Sequence, residues 1–332
     1  MNKKCPGCGY LLQSDKPTSK GYIPIDTKNK ALYCERCFKI KHYNTSLVVE
    51  DKEIDEIINI VNKKGKLAFF LVDFLNISEY SMKTFNQLKI PKCLVISKSD
   101  IIPKGIKEES ISFMVKKDYK VKDEIIFLST LKNKNIHALP KIMNKHQVSE
   151  AYILGYTNAG KSSLISKLFE NYQDKKALIT VSNFPNTTLD FINIKLNESL
   201  KLIDSPGFVL KSKIHDDIAL AKDINVIKFI KPITHQMKHN SSILINDLFR
   251  IENKNDIKNS FTFYISDKLN LEKVFESSKV LKSKAKQDLA IPEDTDIVIK
   301  GIGFINIKKS SLIRIYSDYL DLIEIRPSLF KD

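Results

Sequence analysis

The sequence predicts an α/β protein in three parts: a four-cysteine zinc finger, a doubly wound sheet with a phosphate loop, and a β-rich α+β domain. The chain has 332 residues, enough for two or three domains. Paired cysteines lie near its start, and strand-like runs then alternate with helical patterns around a glycine-rich motif. After residue 208 the apolar positions instead alternate every two residues. We expect the domains to span 1–46, 47–210 and 211–332.

The cysteine pairs predict a structural zinc site in the first part. Two C-x-x-C units supply the ligands: Cys5 with Cys8, and Cys34 with Cys37. Four thiolates close a tetrahedron around Zn²⁺ with no open position. Disulfides are the alternative, and a reducing compartment disfavours them. Basic and aromatic residues follow at 36–43, which suits contact with RNA or an ordinary solvated face around a small aromatic core equally well.

The second part reads as strands and helices in alternation. The expected helices are 54–61 and 136–143, and the expected strands are 67–74, 92–96, 125–128 and 151–154. Such alternation predicts a parallel, doubly wound sheet. Cys93 lies within an apolar strand, so we expect it in the core.

A phosphate loop follows the strand at 151–154. The segment GYTNAGKSS, residues 155–163, fits G-x-x-x-x-G-K-[ST], and a helical pattern comes after it. A strand, loop and helix N-terminus in this order aim several backbone N–H groups at one anion. Lys161 would reach the β- and γ-phosphates, and the Ser162 hydroxyl would ligate Mg²⁺. The residues expected to line the phosphates are Asn158, Ala159, Gly160, Lys161, Ser162 and Ser163. A chance match in a strand-to-helix turn is the alternative.

Two segments downstream have the character of nucleotide-sensing loops. The polar stretch 183–188 ends in Thr188, which we expect to close on Mg²⁺. Strands at 191–196 and 200–203 follow, and the second runs into Asp204-Ser-Pro-Gly207. Asp204 can hold Mg²⁺ through water, and the Gly207 N–H can sense the γ-phosphate.

The last part and the overall charge bear on partners. Two-residue alternation recurs at 242–251, 260–265, 296–307 and 312–325, which predicts the β-rich α+β domain. The net charge of +15 suggests a polyanion such as RNA, although an AT-rich genome would also enrich lysine. No apolar run approaches the roughly 20 residues of a membrane span, and the polar start is no signal peptide. We expect a cytoplasmic protein without a membrane partner.

The motifs are those of a small GTPase in rotated order. The segment with Ser97, Lys98 and Asp100 suits base recognition, and Ser129 with Thr130 suits the loop that supports the base; both precede the phosphate loop. In this order the chain closely resembles the YqeH family of circularly permuted ribosome-assembly GTPases. The segments CPGCGYLLQSD, GYIPID and CERCFKIKHYN are similar to the zinc finger of that family, and IKPITHQ and DIVIKGIGFINI to its final domain.

The resemblance implies an enzyme that hydrolyses GTP to GDP and phosphate while helping to assemble the small ribosomal subunit. Its partners would be the precursor of that subunit or its rRNA, and ribosomal proteins. The main alternative is a nucleotide-gated or structural RNA-binding protein with little hydrolysis, which Ser97 and Phe208 favour. An ATPase or kinase is a second alternative, and Asp100 disfavours it.

The residues expected to act on the phosphates during hydrolysis are Lys161, Thr188, Gly207 and Asn158. Asp100 would accept from guanine N1–H and N2, and Lys98 would pack along the base. The family has Asn at the position of Ser97, so we expect weaker guanine affinity. Phe208 cannot orient water, which predicts slow intrinsic turnover. Asn158 matches the residue that coordinates K⁺ in related GTPases, so K⁺ stimulation is expected, with simple capping of the loop as the alternative.

Overall fold

The structure is a computed structural model. It describes residues 11–15, 22–23, 48–49, 51–156, 158–172, 179–183, 190–197, 199–208, 230, 232–267 and 269–330. The chain divides into two compact units, each gathered from distant segments. The first comprises residues 1–72, 87–100 and 123–210, and the second comprises 73–86, 101–122 and 211–332. The boundaries expected at 46 and 210 stay a prediction.

The described chain contains five α-helices and 19 strands. The helices are α1 (Asp51–Lys64), α2 (Glu79–Gln87), α3 (Glu108–Asp118), α4 (Ala138–Lys145) and α5 (Lys161–Tyr172). The first nine strands are β1 (Val48–Val49), β2 (Ala68–Asp73), β3 (Lys92–Ser97), β4 (Glu124–Phe127), β5 (Glu150–Gly155), β6 (Ile179–Asn183), β7 (Asp190–Lys195), β8 (Lys201–Asp204) and β9 (Gly207–Phe208). The remainder are β10 (Ile233–Met237), β11 (Ser242–Ile245), β12 (Phe249–Asn253), β13 (Asn259–Ile265), β14 (Leu271–Val274), β15 (Lys286–Ile291), β16 (Thr295–Ile299), β17 (Gly303–Ile307), β18 (Ser311–Tyr316) and β19 (Ile323–Pro327).

A seven-stranded sheet in the order β4-β3-β2-β5-β8-β7-β6 forms the first unit. The pairs β3–β4, β2–β5 and β5–β8 are parallel, whereas β7 is antiparallel to both β8 and β6. The prediction of a wholly parallel sheet is therefore wrong, and the sheet is mixed. The link from β7 to β8 explains the difference, because it contains only residues 196–200 and a parallel crossover needs about a dozen residues. Asn197 closes this turn by accepting the backbone N–H groups of Ser199 and Leu200.

Apolar strands buried on both faces make the core of this sheet. The strand β2 is fully buried along its length, as expected for a central strand covered by helices on both sides. Leu139 and Met143 of α4 and Leu164 of α5 pack into one cluster with the strands. The expected helices at 54–61, 136–143 and after the phosphate loop are confirmed as α1, α4 and α5. Cys93 lies in the core as predicted, and burial raises the pKa of its thiol.

Two five-stranded sheets dominate the second unit, in the orders β10-β13-β17-β16-β19 and β14-β11-β12-β18-β15. Every strand pair in them is antiparallel. Side chains from both sheets share one apolar cluster, so the two sheets form a sandwich. The predicted β-rich character is confirmed. Residues 232–267 and 269–330 contain no α-helix, while residues 209–229 lie outside the described chain.

The second unit also holds α3 and all of α2 except Gln87, two helices that were not predicted from the sequence. Asn76 accepts the Gly301 N–H at 2.7 Å, and the Arg326 guanidinium donates to the Ile77 carbonyl. Arg326 is itself paired with Asp296 at 3.1 Å, and both side chains are almost wholly buried. Residues 73–86 are therefore fixed to the sandwich by buried polar contacts. No helix of the described residues is long and apolar enough to cross a membrane.

Candidate nucleotide-binding site

The phosphate loop connects β5 to α5, as the motif predicts. Gly155 has φ +147°, and a Cβ there would lie 2.4 Å from the Leu71 carbonyl oxygen of β2. Only glycine allows this close approach. Gly160 and Asn158 also have positive φ, +87° and +64°, and Asn158 is exposed. Since α5 begins at residue 161, its free N–H groups meet this turn and form an anion-binding end.

Lys161 and Asp204 are the buried charges of the site. Their exposed fractions are 4% and 7%, and the Lys161 ammonium donates to the Gly155 carbonyl at 3.0 Å. Burial lowers the pKa of Lys161, and the Asp204 carboxylate opposes that change. Burial likewise raises the pKa of Asp204 to about 6, opposed by Lys161. At low dielectric, each of these two charges only partly offsets the cost of burying the other. The protonation state of both groups can therefore change strongly when a charged ligand binds.

The Asp204 carboxylate fits the needs of a hydrated Mg²⁺. Its Oδ1 is buried and has no hydrogen-bond partner among the described residues, although buried polar atoms are nearly always paired. A water bound to a hard cation would supply the missing donor and favour the ionised carboxylate. Ser162, half-buried in the first turn of α5, offers the hydroxyl that the motif assigns to the same cation. Thr188, the third predicted ligand, lies outside the described residues.

The predicted base-recognition residues lie at the ends of two neighbouring strands. The Ser99 N–H donates to the Leu128 carbonyl at 3.0 Å, which joins the segment after β3 to the segment after β4. The Ser129 hydroxyl then donates to Asp100 Oδ1 at 2.5 Å, and it accepts the Lys132 N–H at 3.0 Å. This contact fixes the orientation of the half-buried Asp100 carboxylate.

Lys98 and Thr130 flank the same pair. Lys98 has φ +55° and is half-buried, as is Thr130. A lysine with positive φ is uncommon and is usually maintained by surrounding contacts. The structure therefore brings together all five residues predicted for the base, Ser97, Lys98, Asp100, Ser129 and Thr130.

Ser97 makes a contact that the sequence did not suggest. Its buried hydroxyl donates to the carbonyl of Ala159 at 2.6 Å, with the Val72 carbonyl at 3.4 Å. Ala159 belongs to the phosphate loop and lies 62 positions away in the chain. Ser97 thus joins the base-recognition segment to the phosphate loop. Its role toward guanine stays a prediction.

Gly207 and Phe208 form a short strand against the phosphate loop. Phe208 is fully buried, and its ring lies edge-on to Tyr156 at 5.6 Å, with Phe70 6.2 Å away. Gly207 pairs with Val48 of β1 in parallel. Tyr156 was not among the predicted site residues because the motif leaves this position unspecified. The contact links the loop predicted to hold the phosphates to the segment expected to sense them.

Several predicted residues lie outside the described chain. They are Thr188 and the four zinc cysteines, Cys5, Cys8, Cys34 and Cys37. Within the described ranges, no group of three or more histidine, cysteine or acidic residues is arranged to hold a metal ion. The basic and aromatic stretch at 36–43 is also outside them.

Known proteins are similar to this chain over segments that include the phosphate loop. A family model described as 50S ribosome-binding GTPase matches residues 150–265, which begin at β5 and include the phosphate loop and Asp204. YqeH of Bacillus subtilis is 27% identical over 341 aligned residues, covering 91% of this chain and 92% of that protein. The chain is therefore a phosphate-loop GTPase, and it resembles YqeH over most of its length. The segments predicted to recognise the base precede the phosphate loop in sequence, yet Ser97 contacts that loop directly.

Two further matches cover parts of this GTPase. GTPase Era of Mycoplasmopsis agalactiae is 30% identical over 111 residues, which is 31% of this chain and 37% of that protein. The GDP-bound structure of TM YlqF matches with a TM-score of 0.31 and 22% identity, covering 52% of this chain and 64% of that one. GTP and Mg²⁺ are the substrate and cofactor expected of a GTPase with this loop.

Proposed function

We propose that this GTPase hydrolyses GTP as a ribosome biogenesis factor in the cytoplasm and acts in the assembly of the small ribosomal subunit. The observation that carries the proposal is the position of the Asp100 carboxylate, which accepts a hydrogen bond from the Ser129 hydroxyl just after β4. Ser97, three residues before Asp100, contacts the phosphate loop. That carboxylate can accept from guanine N1–H and N2, and adenine offers no such pair of donors. A site that leaves buried polar groups unpaired rejects the wrong base by about 10⁴-fold or more.

The residues around the phosphates support slow hydrolysis. Lys161 would neutralise charge on the β- and γ-phosphates, and Gly207 would follow the γ-phosphate through its N–H. Ser162, Thr188 and Asp204 would hold Mg²⁺. Phe208 has no group that can orient water, and it is packed against Tyr156. Completion of the site by a partner or by an ion is therefore part of the proposal.

A monovalent cation beside Asn158 is the proposed ion. The positive φ of this residue brings an exposed amide to the rim of the phosphate loop. A cation there would stabilise charge as an arginine finger does. Turnover should be faster in potassium chloride than in sodium chloride, and equal rates would falsify the role given to Asn158.

RNA contact and the zinc finger complete the proposal. Cys5, Cys8, Cys34 and Cys37 would hold a structural Zn²⁺, so one equivalent of zinc should copurify with the full chain and be lost with the cysteines. The net charge of +15 supports a polyanionic partner, which we take to be the RNA of the small-subunit precursor. Ribosomal proteins are further partners of the proposed complex.

A large-subunit role is the second candidate, because the matching family model carries the description 50S ribosome-binding GTPase. The description is of the family, and it extends over residues 150–265 of this chain. A nucleotide-gated RNA-binding protein with little hydrolysis is the third candidate. It is supported by Ser97, which stands where the family has Asn, and by Phe208, which cannot orient water. All three share the nucleotide site and differ in partner and turnover.

Hydrolysis of GTP and of ATP in potassium buffer separates these candidates. It is measured with the full chain alone, with purified small subunits, and with purified large subunits. GTP-selective turnover that rises with small subunits supports the proposal, and a rise confined to large subunits supports the second candidate. GTP binding without turnover in any mixture supports the third. Equal use of ATP overturns the assignment of Asp100.

A further inference from the structure

Helix α4 carries a positively charged surface that the nucleotide site does not use. Residues 125–149 contain four lysines and two histidines but no aspartate or glutamate. All six of these side chains are exposed. We define the α4 stripe as Lys141 and Lys145, which lie four residues apart on one side of the helix, together with His137 at its N-terminal cap and Lys134 in the preceding turn.

The opposite side of α4 fixes the stripe in place. Leu139, Ile142 and Met143 are buried in the core of the sheet. Before the helix, Lys134 and Ser129 exchange backbone hydrogen bonds of 2.8 and 3.2 Å, and the Asn135 side chain donates to the Phe127 carbonyl at 2.8 Å. The backbone that presents the stripe is therefore rigid, which lowers the entropy lost on binding.

Lysine enrichment of the whole chain does not account for a surface of one sign. An ordinary solvated helix mixes charges, and α1 and α3 do so in this chain, with acidic and basic residues on each. The acidic residues that flank this segment in sequence are Glu124, which pairs with Lys145 at 2.9 Å, and Glu150, which pairs with Lys201 at 2.6 Å. Glu124 and Lys145 are both exposed, so their pair contributes at most about 1 kcal/mol and Lys145 can exchange it for another anion.

We propose that the α4 stripe binds the phosphate backbone of RNA, which names one contact surface for the RNA partner and rests on the proposed function. Eight residues separate His137 from Lys145, a rise of about 12 Å along the helix. A nucleic-acid strand in a duplex carries a phosphate about every 3.4 Å of axis, so the stripe spans roughly three or four phosphates. The neighbouring exposed amides, Asn133 and Asn144, can donate to sugar and phosphate oxygens.

The test compares two neutralised variants of the full chain. The stripe variant is Lys141→Gln with Lys145→Gln, and the matched control is Lys63→Gln with Lys66→Gln, exposed lysines that give the same change in net charge. Fluorescence anisotropy with a labelled oligouridylate of about 20 nucleotides gives Kd from about 0.05 to 0.3 M salt, with GDP affinity as a check of folding. Loss of two phosphate contacts should lower affinity roughly 25-fold at about 0.1 M salt and reduce the salt slope by about 1.4.

Each outcome of this comparison either supports or overturns the assignment of the α4 stripe to RNA. No loss in the stripe variant, or an equal loss in the control, overturns the α4 stripe as an RNA surface, while subunit-stimulated GTP hydrolysis separately tests the proposed function. The stripe variant can also be mixed with phosphatidylserine vesicles and with an acidic polypeptide, polyglutamate. If the stripe variant no longer binds the vesicles or the polyglutamate but binds RNA as the wild type does, the stripe is a membrane or protein contact and the proposal is overturned. A photo-crosslinking amino acid at position 141, and not at 63, should attach to the oligouridylate.

Discussion

Removal of the Ser129 hydroxyl should weaken the recognition of guanine while leaving the phosphate loop intact. Ser129 is fully buried, and its hydroxyl holds Asp100 Oδ1 at 2.5 Å. The Ser129→Ala variant keeps the volume of the site nearly unchanged but releases the carboxylate to rotate. Asp100 can then no longer present both oxygens to N1–H and N2 without losing rotational freedom on binding.

The size of the effect follows from the kind of hydrogen bond. A bond to a charged group contributes about 1.5–3 kcal/mol, and the partial exposure of Asp100 favours the lower end of this range. Since about 1.4 kcal/mol is a factor of ten, the Kd for GDP should rise about tenfold. The Lys132 N–H, which donates to the same hydroxyl, adds a smaller loss through the loop.

Isothermal titration with GDP, IDP and ADP tests this reasoning. IDP keeps N1–H but lacks the N2 amino group, so the ratio of the IDP and GDP affinities reports how well the carboxylate reaches both donors. The variant should bring this ratio closer to one. Ser149→Ala, the same change at an exposed serine, is the control and should alter neither value. An unchanged Kd for GDP refutes the role given to Ser129, and equal losses for GDP and IDP mean that the hydroxyl supports the loop instead.

Three further predictions concern the phosphate side. Gly155→Ala should abolish binding of a fluorescent GDP analogue, because the added Cβ would lie 2.4 Å from a backbone oxygen. Gly105→Ala, where the added Cβ has open space around it, should bind the analogue normally. Loss of binding in both variants would contradict this reasoning. Ser97→Ala should raise the Kd for GDP about tenfold by leaving the Ala159 carbonyl without its donor, and calorimetry showing no change would dismiss this link. The native state should lose stability as pH rises from about 4, the ordinary pKa of an aspartate, to about 6, the raised pKa of Asp204, because over this range the unfolded chain releases the proton that the folded protein keeps. In denaturant unfolding, the free energy of unfolding of Asp204→Asn relative to the wild type should therefore increase by up to about 3 kcal/mol between about pH 4 and 7. A difference between the two proteins that does not change with pH would contradict the assignment.

The sequence predicted the parts of the site that depend on local chain geometry. The phosphate loop and the segment around Asp100 could be placed because their residue types and spacing are set within a few positions. The joining contacts could not be found in this way. Ser97 reaches Ala159 across 62 positions, and Tyr156 meets Phe208 only after the sheet has formed. Such pairs depend on which strands become neighbours, and single-chain patterns do not specify that.

The missed helices have a related cause. In α2 the buried positions include Ser81 and Thr84, which an apolar template does not count. Their hydroxyls are satisfied locally, since Ser81 donates to the Asn76 carbonyl and Thr84 to the Tyr80 carbonyl. A pattern of buried hydroxyls has the same appearance in sequence as a polar loop. The antiparallel direction of β7 was not predicted either, because the length and composition of this strand fit parallel and antiparallel pairing equally well.

The position of β2 has a consequence for synthesis of the chain. In the finished sheet this strand lies between β3 and β5, and all of its side chains are buried. The ribosome makes β2 and β3 first, and β5 begins at residue 150, well after β2 ends at residue 73. At about 5–20 residues per second, the edge of β2 waits roughly 4–15 s for its partner. During that interval an apolar strand edge is open to pairing with other chains, so the order of the strands in this chain leaves the nascent protein exposed to misassociation until β5 has been made.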